Sequence, residues 1–372
     1  MSNPSSTRYP AIDLLRGMTV CFMIIVNTGG SGAEPYALLQ HADWHGFTPT
    51  DLVFPTFLFV VGNALAFTLP KMEGLGNREA TMKILKRTAL IFLFGYLMYW
   101  FPFVRVDETG GWSLKPISET RILGVLQRIA LCYGISALLL RVWSVRTIWI
   151  SGIFILVGYW TALAWGGDDT IEGNLVRQID RALLGDDHLY HGNNIAFDPE
   201  GLLSTLPALI NVWAGYLSAL HIRKHGNTYK TVSDLLLAAI LLLAVAYLWD
   251  RIFPVNKKLW TSSFSVLTSG LSMAILGILI HFTEIHKYKL GAGFFGVFGR
   301  NPLFIYLLSE LIAILMWAIP AGEKSVYEYV NDNVFQATMP GANGSLLFAL
   351  TVMFICWGAG LYLDKKRIYI RV

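Results

Sequence analysis

The chain reads as an all-α, polytopic transmembrane helix bundle with about ten spans and both termini in the cytoplasm. Three observations carry that reading. First, 54% of the 372 residues are apolar and only 15% are charged, against roughly 25% charged in an average soluble domain. Second, residues 52–69, 88–101, 146–165, 235–249, 302–319 and 346–363 are each nearly charge-free. Mean hydropathy is accordingly +0.51, more apolar surface than a soluble fold of this size can hide. Third, 19 of the 29 Lys and Arg residues fall on one set of alternating connections and 9 on the other, with Arg128 inside a span. Positive charge marks the cytoplasmic side.

A helix needs about 20 residues to cross the hydrocarbon. On that ruler the spans lie near 11–28, 48–70, 83–101, 121–140, 146–165, 201–221, 232–249, 261–282, 302–319 and 346–363. The apolar run 17–26 follows Asp13 and Arg16 and precedes no small-residue cleavage site, so it reads as a retained span. Residues 291–301 are apolar but short and glycine-rich, which suits a re-entrant or interfacial stretch better than a span. The whole chain, 1–372, reads as a single transmembrane domain. Its largest outer loop, at about 166–200, holds eight carboxylates against Arg177 and Arg181. Soluble enzymes and disulfide scaffolds are excluded. A nucleic-acid partner is excluded too, since the net charge of +4 is scattered through short loops. Cys21, Cys132 and Cys356 all lie in apolar segments, and no Cys/His spacing calls for a metal.

Polar groups inside spans are expensive, so each one is a candidate for function. Gln127 and Arg128 fall six and seven residues into the fourth span, and Glu310 eight residues into the ninth. An internal Arg128–Glu310 ion pair is the plain structural alternative. The connection from 27 to 55 is the richest. It holds Asn27, His41, Asp43, His45 and Asp51 among Trp44, Phe47 and Phe54. Imidazole titrates near neutral pH and can serve as general base or nucleophile. His41 and His45 have helical metal-pair spacing, but Gly46 and the short loop argue against a helix there, and no third ligand is evident.

Eight stretches carry a resemblance: DLLRG (13–17), VNTGG (26–30), HADWHGFTPTDLVFP (41–55), RILGVLQRI (121–129), DRALLGDDHLYH (180–191), FDPEGLLSTLPAL (197–209), NKKLWTSSF (256–264) and GRNPLFIYLLSE (299–310). They resemble, in order, motifs of the heparan-α-glucosaminide N-acetyltransferase family of transmembrane enzymes. The resemblance implies transfer of acetyl from cytoplasmic acetyl-CoA to the 2-amino group of an amino sugar on the outer side. It implies that His41 is the catalytic base or acetyl acceptor, with Asn27 at the family's upstream asparagine; Asp51, which flanks the same loop, joins them as a catalytic candidate. His45 stands where the family usually has asparagine.

On this reading Gln127, Arg128 or Asn27 stabilise the oxyanion, with Glu310 as a further intramembrane polar group. Asp198, Glu200, Trp260 and His45 face the acceptor. The plain alternative for Asp198 and Glu200 is capping of the sixth span, because Pro199 sits at a first-turn position. The CoA phosphates would meet inner-side Arg16, Lys83, Lys86, Arg87 and Arg300, with Asn301 on a pantetheine amide; each is also a plausible positive-inside anchor. The expected partners are acetyl-CoA, a small amino-sugar acceptor such as glucosamine and the lipid bilayer, with no metal and with a homodimer left open. The expected location is the inner membrane of a Gram-negative bacterium. A permease for amino sugars or cell-wall fragments and a glycan O-acetyltransferase are the rival readings.

Overall fold

A computed structural model describes residues 9–106, 111–192, 194–289 and 291–370. Two cations of the inner-side count, Arg8 and Arg371, lie outside the described residues. Thirteen α-helices run in order: α1 (Pro10–Asn27), α2 (Val53–Thr68), α3 (Asn77–Trp100), α4 (Val125–Leu140), α5 (Val145–Gly166), α6 (Leu175–Leu184), α7 (Thr205–His225), α8 (Tyr229–Asp250), α9 (Ser262–Ile280), α10 (Ala292–Arg300), α11 (Pro302–Ala318), α12 (Val326–Val330) and α13 (Ala342–Lys365). Two short antiparallel ribbons, Val104–Val106 with Trp112–Leu114 and Pro320–Ala321 with Lys324–Ser325, and several short 3-10 and π turns accompany them among the described residues.

Each of the ten expected stretches lies on a helix, but not all ten meet the measure for crossing a bilayer. Six do by length and apolarity: α1, α2 with its flanking turns (Pro49–Met72), α5, α8, α9 with its following turn (Ser262–Ile285), and α13. A seventh exists only if α10 and α11 count together, and they meet at 84°. The stretch 291–301 is therefore a separate short helix. α4 has only 16 residues. α3 carries Arg78, Glu79, Lys83, Lys86 and Arg87 in its first half, and α7 interrupts its apolar run with Asn211, Ser218 and His221; neither is among the six.

Two boundaries move in ways that matter. α4 begins at Val125 rather than 121, after an extended Gly124. Gln127 and Arg128 thus stand in its first turn, where helix N–H groups lack intrahelical partners, and not two turns deep. α7 begins at Thr205 rather than 201. Asp198 and Glu200 precede it by more than a turn and do not cap it.

The helices divide by burial. In α9, 72% of the apolar window is enclosed; in α5 the figure is 17% and in α8 28%. α5 accordingly exposes Trp149, Ile150 and Phe154, and α8 exposes Ile240, Leu241 and Leu248. These are the side chains a lipid-facing helix carries. α9 instead brings Ser265, Thr268 and Ser269 against Asn211 of α7, whose amide donates to all three positions at 3.0–3.3 Å. Such interhelical hydrogen bonds and close approaches replace the hydrophobic drive that is weak inside lipid. α2 and α7 illustrate the second device: a Cβ on Gly62 would strike the Val212 carbonyl, and one on Gly215 the Phe59 carbonyl.

Candidate functional site

The site begins in the connection between α1 and α2. Thr48-Pro-Thr-Asp51 forms a capping box: Asp51 Oδ2 accepts from the Thr48 N–H at 2.9 Å, and Thr48 Oγ1 lies 3.1 Å from the same oxygen. That oxygen also accepts from the Ala42 N–H at 3.2 Å. Asp51 is wholly buried, so these bonds answer the cost of enclosing a carboxylate. Its other oxygen, Oδ1, meets His41 Nδ1 at 2.7 Å. With Asp51 as acceptor, Nδ1 carries the hydrogen and Nε2 keeps its lone pair. His41 remains 43% exposed, so the imidazole is oriented from behind and open in front. An oriented, accessible imidazole of this kind can take a proton.

Lys257 closes one side. Its Nζ lies 2.9 Å from His41 Nε2 and 3.1 Å from Nδ1. It is half-buried inside the site. Burial lowers its pKa, against the opposing charges of Glu200 and Asp51.

Arg121 organises the next layer. It holds Asp198 with two bonds, Nε–Oδ2 at 2.8 Å and Nη2–Oδ1 at 2.7 Å, and reaches Glu200 Oε2 at 2.7 Å. Its guanidinium lies 4.8 Å from the ring centroids of both Tyr99 and Tyr190. A planar, delocalised cation suits that stacked and forked position. Burial pushes the Asp198 carboxyl up despite Arg121. The same effect acts on Glu200, but Arg121, Arg128 and Lys257 outweigh it and hold that carboxyl low. The charges thus alternate from Asp198 through Arg121, Glu200 and Lys257 to Asp51.

Arg128 and Glu310, the expected ion pair, each have other partners. Arg128 donates to the Gly201 carbonyl at 3.0 Å and to Ser204, and its guanidinium lies over Trp260 at 4.9 Å. Glu310 accepts from Asn27 Nδ2 at 3.3 Å and bonds Tyr306. Arg128 Nε and Nη1 and both amide atoms of Gln127 are buried without a hydrogen-bond partner among the described residues. Such orphans are rare in folded proteins and ask for a ligand or water. Trp260 is fully buried and donates to Asn211 at 3.1 Å, which makes it a wall of the core behind Arg128 and not an exposed acceptor contact. His45 pairs with Asp169 at 3.0 Å on the rim. Beside it opens a cleft of about 490 Å³ lined by Asp43, Trp44, Asp169, Glu172 and Lys258.

The inner-side residues form no comparable cluster. Arg16 bonds the Gly299 carbonyl at 2.8 Å and Asp13 at 2.5 Å. Arg300 pairs with Asp364, and Asn301 exchanges bonds with the backbone of Ile368 and Ile370. Those three gather around α10, which packs on α1 where a Cβ on Gly17 would strike the Phe295 carbonyl. On α3, Lys83 pairs with Glu79, Arg87 lies over Tyr133 at 4.8 Å, and Lys86 is exposed.

Lys257, Arg121 and Tyr99 were not singled out in sequence. Lys257 and Arg121 do stand within two of the quoted motifs, NKKLWTSSF and RILGVLQRI, which was the available signal.

Residues 8–174 match the family described as heparan-alpha-glucosaminide N-acetyltransferase, catalytic. The mouse heparan-alpha-glucosaminide N-acetyltransferase is 25% identical, over 89% of this chain and 58% of that protein. The human protein of the same name is 25% identical, over 82% of this chain and 53% of its own length. The chain therefore spans a little over half the length of the curated relatives it matches. It is similar to heparan-alpha-glucosaminide N-acetyltransferases over most of its own length, and the His41–Asp51 pair falls within the stretch that matches their catalytic region.

Proposed function

We propose that the protein is a membrane-bound N-acetyltransferase of a bacterial inner membrane, moving acetyl from cytoplasmic acetyl-CoA to the amino group of an amino sugar on the outer side. The observation that carries this reading is the Asp51–His41 pair, at 2.7 Å, within the stretch that matches a catalytic family model. Acetyl-CoA would supply an activated acyl group as its thioester. The acceptor nitrogen attacks the carbonyl carbon; the C–N bond forms, the C–S bond breaks, and CoA leaves as the thiol. His41 Nε2 receives the proton that the attacking amine loses and gives it up to the departing CoA thiolate, while Asp51 holds the ring and offsets its charge.

The orphaned donors of Arg128 and the Gln127 amide fit a carbonyl oxygen that becomes an oxyanion. One such donor is typically worth about 3–4 kcal/mol. Asp198 and Glu200, expected to contact the acceptor, are enclosed and held by Arg121, so they would act on a cationic sugar through their charge and not by direct contact. On the inner side, Arg16, Arg300 and Asn301 are already engaged, so CoA phosphates binding there would compete with Asp364 and the C-terminal backbone. Lys83, Lys86 and Arg87 complete the proposed inner basic set.

Sealed vesicles with uniform orientation test the reading. Acetyl-CoA on the cytoplasmic face should acetylate glucosamine on the other face, and donor supplied only outside should give no product. His41→Ala should insert normally and lose about 10²–10⁴-fold in transfer, the range for loss of a general base. Equal activity from either face of intact vesicles would sink the transmembrane route. Full turnover by the His41→Ala protein would remove His41 from the chemistry.

A further inference from the structure

Lys257 poses a problem for any reading in which His41 accepts a proton from an amine. Its own primary amine already stands against the same imidazole, 2.9 Å from Nε2 and 3.1 Å from Nδ1. Burial works against a positive charge on that nitrogen, and the charges of Glu200 and Asp51 work for one.

The backbone beneath it is fixed. Asn256 is wholly buried, its side-chain oxygen accepts from the Leu259 N–H at 2.9 Å, and the Trp260 N–H closes the turn onto the Lys257 carbonyl at 3.0 Å. The Gly46 N–H bonds the Val255 carbonyl at 2.9 Å, which ties this turn to the loop that carries His41. The four-carbon stem above that anchor is flexible, and the ammonium is a compact point charge. A lysine so placed is a tethered amine at high local concentration.

We propose that Lys257 Nζ fills, in the resting protein, the place that the amino nitrogen of an incoming acceptor takes, so that a primary ammonium ligand must expel it to bind. The inference rests on the acetyltransferase reading for the identity of the acceptor, but the ammonium subsite itself does not require a donor. It accounts for two otherwise awkward facts: the base is covered by a cation, and that cation has no carboxylate bonded directly to it among the ion pairs of the described residues.

The test is binding, measured by calorimetry on the full-length purified protein without acetyl-CoA. The probes are glucosamine, methylamine and, as neutral control, N-acetylglucosamine. A ligand that competes with an internal occupant binds with its affinity reduced by the fraction of protein left open. Lys257→Met should therefore bind glucosamine and methylamine about tenfold more tightly or better, with N-acetylglucosamine unchanged. If methylamine gains and glucosamine does not, the ammonium subsite stands and the amino-sugar acceptor is wrong. If neither gains, the proposal falls, whether or not the wild-type protein acetylates glucosamine. Should Lys257→Met fail to fold, the wild-type protein decides. Expulsion should raise reductive methylation of Lys257 relative to the exposed Lys86 in the same sample when glucosamine is added, read by peptide mass analysis; an unchanged or reduced ratio overturns the proposal.

Discussion

Asp198 and Asp180 stand in the same segment between α5 and α7, and both are wholly buried, yet their surroundings differ. Asp198 is gripped by Arg121 through both carboxylate oxygens. Asp180, on the inward face of α6, receives only the Leu202 N–H, at 2.9 Å, and its second oxygen is left without a partner. Burial raises its pKa to about 7. The difference teaches that burial alone does not make a carboxylate part of a site. Asp198 belongs to a chain of alternating charges that reaches His41. Asp180 is a wedge beneath that chain: its free oxygen lies against Gly201, where any Cβ would strike it.

The largest effect should follow from breaking the matched side. Arg121→Ala leaves Asp198 and Glu200 enclosed without their common partner. Removing one member of a buried pair typically costs about 3–5 kcal/mol. Folding yield in detergent and melting temperature should both drop steeply. Arg121→Lys should recover little, because lysine cannot supply the forked contacts or lie flat between Tyr99 and Tyr190. If Arg121→Ala melts with the wild-type protein, the node is not a structural hub.

Much of the fold was legible in the sequence, and the site was legible in part. Apolar runs located every long helix, because burial in lipid is written in continuous composition. His41 and Asp51 were legible because they stand together in one motif, HADWHGFTPTDLVFP, although the capping turn that joins Asp51 to Thr48 was not anticipated. Arg121 and Lys257 were not. Their partners lie 77 and 216 residues away, and no spacing rule pairs a loop cation with so distant an anion. Each therefore passed for a solvated loop charge. The depth of Arg128 was misjudged for a different reason. Gly124 delays the start of α4, and an apolar run does not show where its helix begins.

The unmatched side should reveal itself through pH. The folded pKa of Asp180, about 7, lies above the ordinary aspartate value near 3.9. The folded protein therefore binds more protons than the unfolded one between those values. Stability consequently falls as pH rises from about 4 to about 7 and is level beyond. The shift corresponds to at most about 4 kcal/mol, since one pKa unit is 1.36 kcal/mol. Asp180→Asn keeps an acceptor for the Leu202 N–H and removes the charge. Its melting temperature should match the wild type at about pH 4 and below and exceed it at pH 8. A constant offset across that range would show that Asp180 is not held protonated by burial.

The smallest effect belongs to the rim, where a third aspartate completes the comparison. Asp169 meets His45 at 3.0 Å with the two side chains 58% and 41% exposed. Water screens such a pair, and exposed ion pairs typically contribute about 0–1 kcal/mol. His45→Asn also installs the residue usual in the resembling family. It should leave melting nearly unchanged and keep acetyl transfer within the same order of magnitude, because nothing in the chain from Asp198 to Asp51 passes through His45. A loss of transfer approaching that of His41→Ala, with folding intact, would move the rim into the chemistry. The division between a matched interior and a solvated edge would then have to be redrawn around the Asp169 cleft.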